Sequence, residues 1–320
     1  MTAITSLKPQ PRRPGELGVH SVDHFNVVVP DLKHAASFYG SFGLEVREEG
    51  QDLGLYTFGH GHRWGRVSEG RAKKLSYVSF GCYPEDLAPL RARLQEAGVP
   101  ELDPPAGFES NGVWFRDPDG TLVEMRVAEK SSPNEKAVQS NPSSPAGVQG
   151  SHARSKAPLV KPRRLAHILI FTADVGRAIA FYHRVLGLRL SDRSGDGIAF
   201  MHGIHGSDHH MVAFAKSSGP GLHHLSWDVG SIHEVGLGAM QMADKGFSAG
   251  WGMGRHVLGS NYFHYVRDPW GSYSEYSSDI DYIPADCDWP AGDHPGHDAF
   301  YVWGPNPPAD FVTNHEMANG

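Results

Sequence analysis

Two halves of this chain repeat each other, and that repeat narrows the possible folds more than any other feature. VDHFNVVV around His24 and LAHILIF around His167 are apolar alternations, each containing one histidine. Such alternation over a short run reads as a strand. An aromatic pair follows 14 residues after each histidine, Phe38-Tyr39 and Phe181-Tyr182. In the second half Val175, Ala178, Ile179, Tyr182 and Leu186 mark one helical face at i, i+3, i+4, i+7 spacing. Glycine then closes each helix, at Gly43-Leu44 and Gly187-Leu188, as a left-handed cap would. Near the end of each half stands Arg-Asp-Pro-x-Gly-x-x-x-Glu, from Arg116 to Glu124 and from Arg267 to Glu275. Proline and glycine at those positions fit a tight turn between two strands.

Each half divides again. A second strand–helix start appears at LSYVSFGCYPEDLAPLRARL from Leu75 and at LHHLSWDVGSIHEVGLGAM from Leu222. The pattern is a strand, a helix and several strands, four times over. Units of this kind predict an α+β architecture with antiparallel sheets curled around a pocket and helices outside. Residues 129–163 are rich in proline and serine and lack any aromatic side chain. They can bury little, so they read as a linker or a surface-wrapping arm. The expected organisation is an arm at 1–20, a first domain at 21–128, the linker, a second domain at 164–283 and a tail at 284–320.

Composition excludes several classes. A length of 320 residues suggests about two domains. A net charge of −7 argues against a phosphate-binding surface. No apolar run approaches the roughly 20 residues of a spanning helix, and the opening MTAITSLKPQPRRPGELG lacks the apolar stretch of a secretion signal. Two cysteines, Cys82 and Cys287, exclude a disulfide scaffold or a cysteine-based zinc cluster. A cytoplasmic protein with no nucleic-acid or membrane partner is expected.

Eleven of the 20 histidines lie between His167 and His264. Three polar residues interrupt apolar strand patterns there: His167, His224 and Glu275. A buried carboxylate is costly unless paired or bound to a cation. Two imidazoles and one carboxylate on one face form a triad that leaves open positions on a non-haem divalent metal. The first half keeps His24 and Glu124 at the matching places but has Tyr77 where His224 would stand, so no metal is expected there. His223 and His224 are adjacent, and strand alternation allows only one of them to face the metal.

The segment HVLGSNYFHYVRDPWGSYSE, residues 256–275, resembles the signature of the type I extradiol ring-cleaving dioxygenases of the vicinal oxygen chelate superfamily. The matching positions are His256, Tyr265, Asp268, Pro269, Gly271 and Glu275, and the likeness extends over roughly residues 20–128 and 164–305. His264 departs from the pattern and reads as a residue that could face the pocket. The resemblance implies four βαβββ units forming two open barrels. It implies Fe(II), with Mn(II) as the other candidate, held by His167, His224 and Glu275. It also implies O2 and a small aromatic diol as reactants, and a homo-oligomer. By the same resemblance His210, two residues before Val-Ala-Phe in HHMVAF, is the acid–base residue, with His209 on the opposite strand face. Tyr265 and His256 would orient the diol, and opening the ring beside the two hydroxyl-bearing carbons would give a semialdehyde or oxo-acid. The tail DHPGHDAFYVWGPNPPADF resembles the C-terminal segment that closes over such pockets, with Trp289, Phe300, Tyr301 and Trp303 read as packing groups, and His202, His205, His233, His294 and His297 as no more than pocket lining. Other readings are a non-redox glyoxalase- or epimerase-like member of the superfamily, a module that binds an aromatic compound without turnover, and a dioxygenase for an aminophenol or hydroquinone-like ring.

Overall fold

The computed structural model describes residues 12–108, 110–141 and 143–318; the rest of the predicted arm, residues 1–11, and the last two residues lie outside them. The first unit is β1 (Ser21–Val29), α1 (Leu32–Phe42), β2 (Glu45–Glu49), β3 (Asp52–Tyr56) and β4 (Arg63–Glu69). The second is β5 (Lys74–Cys82), α2 (Leu87–Glu96), β6 (Val113–Arg116) and β7 (Leu122–Val127). Its missing strand shrinks to a single bridge between Leu102 and Trp114. The third comprises β8 (Arg164–Thr172), α3 (Val175–Leu186), β9 (Arg189–Ser194), β10 (Ile198–His202), the two-residue β11 (Ser207–Asp208) and β12 (Val212–Lys216). The fourth is β13 (Gly221–Asp228), α4 (Ile232–Asp244), β14 (Gly250–His256), β15 (Tyr262–Arg267) and β16 (Tyr273–Ser278). After it come β17 (Tyr282–Ile283), β18 (Gly292–Asp293), α5 (Gly296–Ala299), β19 (Tyr301–Trp303) and α6 (His315–Ala318).

Local chemistry sets the helix ends. The side chains of Asp31 and Asp174 accept from the backbone N–H of His34 and Arg177, capping α1 and α3. Gly43 and Gly187 follow with φ of 99° and 75°, the left-handed conformation that glycine adopts without steric penalty. Both carboxyl-side aspartates of the repeated turn, Asp117 and Asp268, accept backbone N–H groups across that turn.

Two large sheets follow the same plan, and β11 pairs with β17 in a small third sheet. One large sheet runs β2-β3-β4-β1-β5-β7-β6, the other β18-β9-β10-β12-β8-β13-β16-β15-β14-β19. In each, the first strands of consecutive units lie side by side and antiparallel, β1 on β5 and β8 on β13. Each first strand pairs in parallel with the last strand of its own unit. Helices α1 and α4 pack together, as do α2 and α3, so the outer layers of the two halves meet. One hydrophobic core runs through both halves, from Phe25 and Phe38 to Trp227 and Tyr276. Tyr276 stacks on Phe42 with ring centroids 3.9 Å apart and donates to the Phe42 carbonyl at 2.8 Å. A side chain at Gly238 would meet that tyrosine ring at 2.7 Å, so α4 can approach only through glycine.

The connecting segments are tied down. Ser131 and Ser132 donate backbone N–H groups to Ser21 Oγ at 2.9 Å each, and Val160 is buried in the core. Beyond residue 284 the chain adds β18 to β9 and β19 to β14, and Phe311 enters an aromatic cluster with Trp251, Phe263, Tyr265 and Tyr273. Glu316 accepts from Lys73 Nζ at 2.7 Å and from the backbone N–H of Leu75 and Leu222, so the tail joins both sheets.

Candidate active site

Strand register brings the polar residues together. Across β8, β13, β16 and β15 the partners are His167, Ser226, Glu275 and Tyr265 in one row. Paired residues on neighbouring strands share a face. His224 lies two positions before Ser226 on β13 and so projects from the same face. His167 Nε2 is 3.2 Å from Glu275 Oε2, and His224 Nε2 is 3.6 Å from it. One donor atom from each of the three residues falls within 4.8 Å of the others, and all three are buried. Donors held roughly 2.0–2.2 Å from one ion must approach each other about this closely.

The donors fit a cation by a second criterion. Among the described residues, His224 Nε2 and Glu275 Oε2 have no hydrogen-bond partner although both are buried. An unsatisfied buried polar atom costs about 1–3 kcal/mol. The remaining oxygen, Glu275 Oε1, accepts from Asn261 Nδ2 at 3.1 Å. Burial pushes the Glu275 carboxyl up, yet the imidazoles of His167 and His256 hold it below its ordinary range. The site therefore keeps a carboxylate with one oxygen facing two imidazoles.

The matching place in the first half is closed by hydrogen bonds. His24, Ser79, Glu124 and Trp114 form the corresponding row. There the Tyr77 hydroxyl lies 3.0 Å from His24 Nε2, and Asp23 lies 2.8 Å from His24 Nδ1. Glu124 accepts from the hydroxyls of Ser79 and Ser110. Both nitrogens of that imidazole and both oxygens of that carboxylate are occupied.

The second-half donors open onto a cavity of about 380 Å³. Its walls are mainly apolar, with Leu169, Ile198, Phe200, Leu258, Phe300 and Phe311 facing the polar floor. His210 lines it with its ring centroid 4.1 Å from that of His167. Burial pushes the His210 pKa down, and the surrounding imidazoles push it further, so the ring is neutral near pH 7. His209 does not line the cavity; its Nε2 lies 2.8 Å from Asp192 Oδ2. His256 Nε2 lies 2.9 Å from the Tyr265 hydroxyl, and its Nδ1 lies 2.9 Å from the Phe300 carbonyl oxygen. The carbonyl can only accept, so a neutral His256 carries its proton on Nδ1 and receives the tyrosine proton at Nε2. Burial, reinforced by the Glu275 charge, raises the Tyr265 pKa well above its usual value and keeps that hydroxyl protonated.

Two expectations from the sequence need correction, and one holds. Of the adjacent pair only His224 joins the donor group, as alternation requires, although the His223 ring also lines the cavity. The β8–β13 register slips between Leu222 and His224, and the extra residue of such a bulge turns neighbouring side chains toward one side. His264 alternates with Tyr265 on β15 and does not line the cavity. Nor do His202, His205, His233, His294 or His297, whereas Phe300 does, beyond packing on Trp251 at 4.9 Å. Two contributors carried no signal in the residue pattern, Asn261 on Glu275 and Asp192 on His209. Ser226 could have been found, because it stands two positions after His224 on a strand.

Comparison with known proteins places this geometry in a family. The family described as Glyoxalase/Bleomycin resistance protein/Dioxygenase superfamily matches residues 21–125 and 164–276. The chain is 50% identical over 298 residues to metapyrocatechase 2 of Cupriavidus necator, covering 93% of each protein. Homoprotocatechuate 2,3-dioxygenase from Brevibacterium fuscum superposes with a TM-score of 0.75 at 24% identity, over 96% of this chain and 84% of that one. A Mn(II)-bound glyoxalase from Novosphingobium aromaticivorans superposes with a TM-score of 0.70 at 24% identity, over 91% and 96%. At those identities the structures speak for the fold alone, and the family match and the long relative carry the assignment. The chain belongs to the Glyoxalase/Bleomycin resistance protein/Dioxygenase superfamily, in its branch of extradiol ring-cleaving dioxygenases.

Proposed function

We propose that the chain cleaves a catecholic ring with O2 at the bond beside the two hydroxyl-bearing carbons, giving a semialdehyde or oxo-acid. His167, His224 and Glu275 would hold Fe(II), with Mn(II) the other ion such donors accept. The observation that carries this reading is the pair of unpartnered buried donor atoms, His224 Nε2 and Glu275 Oε2, facing an apolar cavity. The relationship to metapyrocatechase 2 supports it. Bound there, the ion would supply redox-active Lewis acidity toward the diol and O2.

The protein groups do the rest. The Tyr265 hydroxyl donates to His256 Nε2, so its oxygen is left to accept from a substrate hydroxyl. His210 takes a proton from the diol and returns it when the ring opens, the usual task of a positioned imidazole. Leu169, Ile198 and Phe200 hold the ring and exclude water from the reacting face. Residues 164–283 are the catalytic domain and 21–128 a domain without metal, joined by 129–163, with 1–20 and 284–320 as arm and tail; the Tyr77 hydroxyl on His24 supports that division. Assembly as a homo-oligomer belongs to the same proposal. So does a cytoplasmic location, which the two free cysteines favour. No helix among the described residues is long and apolar enough to cross a membrane.

The superfamily description also covers glyoxalases, so a second reading is a non-redox isomerase or epimerase, and an aminophenol or hydroquinone-like ring would use the same donors. Oxygen uptake with a panel of catechols, aminophenols and hydroquinones after anaerobic Fe(II) loading separates them. Stoichiometric O2 consumption with a yellow product from catechols is expected. Isomerisation without O2 consumption would select the second reading.

A further inference from the structure

The two histidine doublets, His209-His210 and His223-His224, share a geometry that ring cleavage alone does not require. In each, Nδ1 of the first ring faces Nδ1 of the second, at 3.1 Å and 2.7 Å. Only one of two such nitrogens can carry the shared proton, and the far nitrogen of the first ring decides which. His223 Nε2 lies 2.9 Å from the Phe311 carbonyl oxygen, which can only accept. The His223 proton therefore sits on Nε2, and its Nδ1 accepts from His224 Nδ1. That leaves a lone pair on His224 Nε2, the atom that faces Glu275. His209 follows the same logic, with Asp192 Oδ2 as acceptor for its Nε2, so His210 donates from Nδ1 and keeps a free nitrogen.

The C-terminal segment holds both ends of this arrangement. Phe311 supplies one acceptor directly. Asp192, on β9, is clamped by the Gly292 N–H at 2.9 Å and by His294 Nε2 at 2.7 Å. We infer that His209 and His223 are positioning residues that fix the tautomers of His210 and His224, and that the C-terminal segment sets both through Phe311 and the clamp on Asp192. In the opposite tautomer His224 would present an N–H, not a lone pair, to the metal. This inference rests on the proposed roles of His224 and His210.

Neutron diffraction from deuterated crystals of the full chain, prepared without added metal, tests it on the protein itself. Deuterons are expected on His223 Nε2, His224 Nδ1, His209 Nε2 and His210 Nδ1; one on His224 Nε2 or His210 Nε2 overturns the inference. Kinetics give a second test. His209→Phe removes the acceptor and should lower kcat about 10–100-fold, the usual cost of losing such a partner, with KM for catechol and iron content unchanged. His209→Asn restores an acceptor oxygen and should recover kcat to within a few-fold. Equal losses in both variants, or losses that track a fall in thermal midpoint, would make His209 merely structural and overturn its assignment. Should no diol be consumed by the wild-type chain, the dioxygenase reading fails, while the deuteron positions still decide this one.

Discussion

Replacing Glu275 with glutamine should stabilise the metal-free protein while abolishing its metal binding. Glu275 Oε1 already accepts from Asn261, and that bond survives in a glutamine. The other position, now an amide NH2, would face His167 Nε2 and the unpartnered His224 Nε2, at the 3.2 and 3.6 Å now spanned by Oε2. It would close the site as the Tyr77 hydroxyl closes the matching place on His24. Satisfying one buried lone pair is worth about 1–3 kcal/mol, or roughly 2–12 °C in midpoint at about 2–4 °C per kcal/mol. Metal acts oppositely. At a free concentration about 1,000 times its Kd, an ion stabilises the wild type by about 4.1 kcal/mol and leaves the variant untouched. Thermal unfolding with chelator, then with Fe(II) or Mn(II), reads both effects. The order of midpoints should invert between the two conditions. A variant less stable than wild type in chelator, or one that gains as much from metal, would refute the reasoning.

His210→Ala should keep its iron, measured by metal analysis, and lose about 10²–10⁴-fold in kcat; full activity would move the proton-transfer role to His209. Asp117 has a pKa raised from 3.8 to about 6, chiefly by burial against the partial relief of the Thr121 N–H and the Tyr182 hydroxyl. Because the folded value lies above the unfolded one, its contribution is full below about pH 4 and is lost as pH rises through about 6. Asp117→Asn should therefore match wild type in denaturant titrations near pH 4 and exceed it by up to about 3 kcal/mol above pH 7; an advantage confined to acid would reverse the sign. Tyr77→Phe frees His24 Nε2 without supplying a third ligand, so metal content should stay at one ion per chain; a second ion would mean that the first half also binds metal.

Much of the fold was legible because the repeat is written in turn and cap residues. Gly43, Gly187 and the two Asp-Pro-x-Gly turns force the chain to the same places in each half, and a strand register follows from them. The candidate donors His167, His224 and Glu275 were legible for the same reason, since alternation assigns them a face. Other parts depend on contacts that no local pattern encodes. The bulge at His223 lets its ring line the cavity beside the donor His224, which alternation alone does not show. Asn261 reaches Glu275 from the start of the neighbouring strand, and Asp192 reaches His209 from β9 of the same unit. The tail resembles a pocket-closing segment, and Phe300 and Phe311 do line the cavity, but no local pattern shows that they supply carbonyls to His256 and His223.

Anomalous diffraction at the iron edge, from crystals reconstituted anaerobically with Fe(II), bears most directly on the central claim. A single peak per chain, bonded to His167 Nε2, His224 Nε2 and Glu275 Oε2 with none beside His24 and Glu124, is the predicted result. A peak elsewhere, or none at those three atoms after full loading, would contradict it.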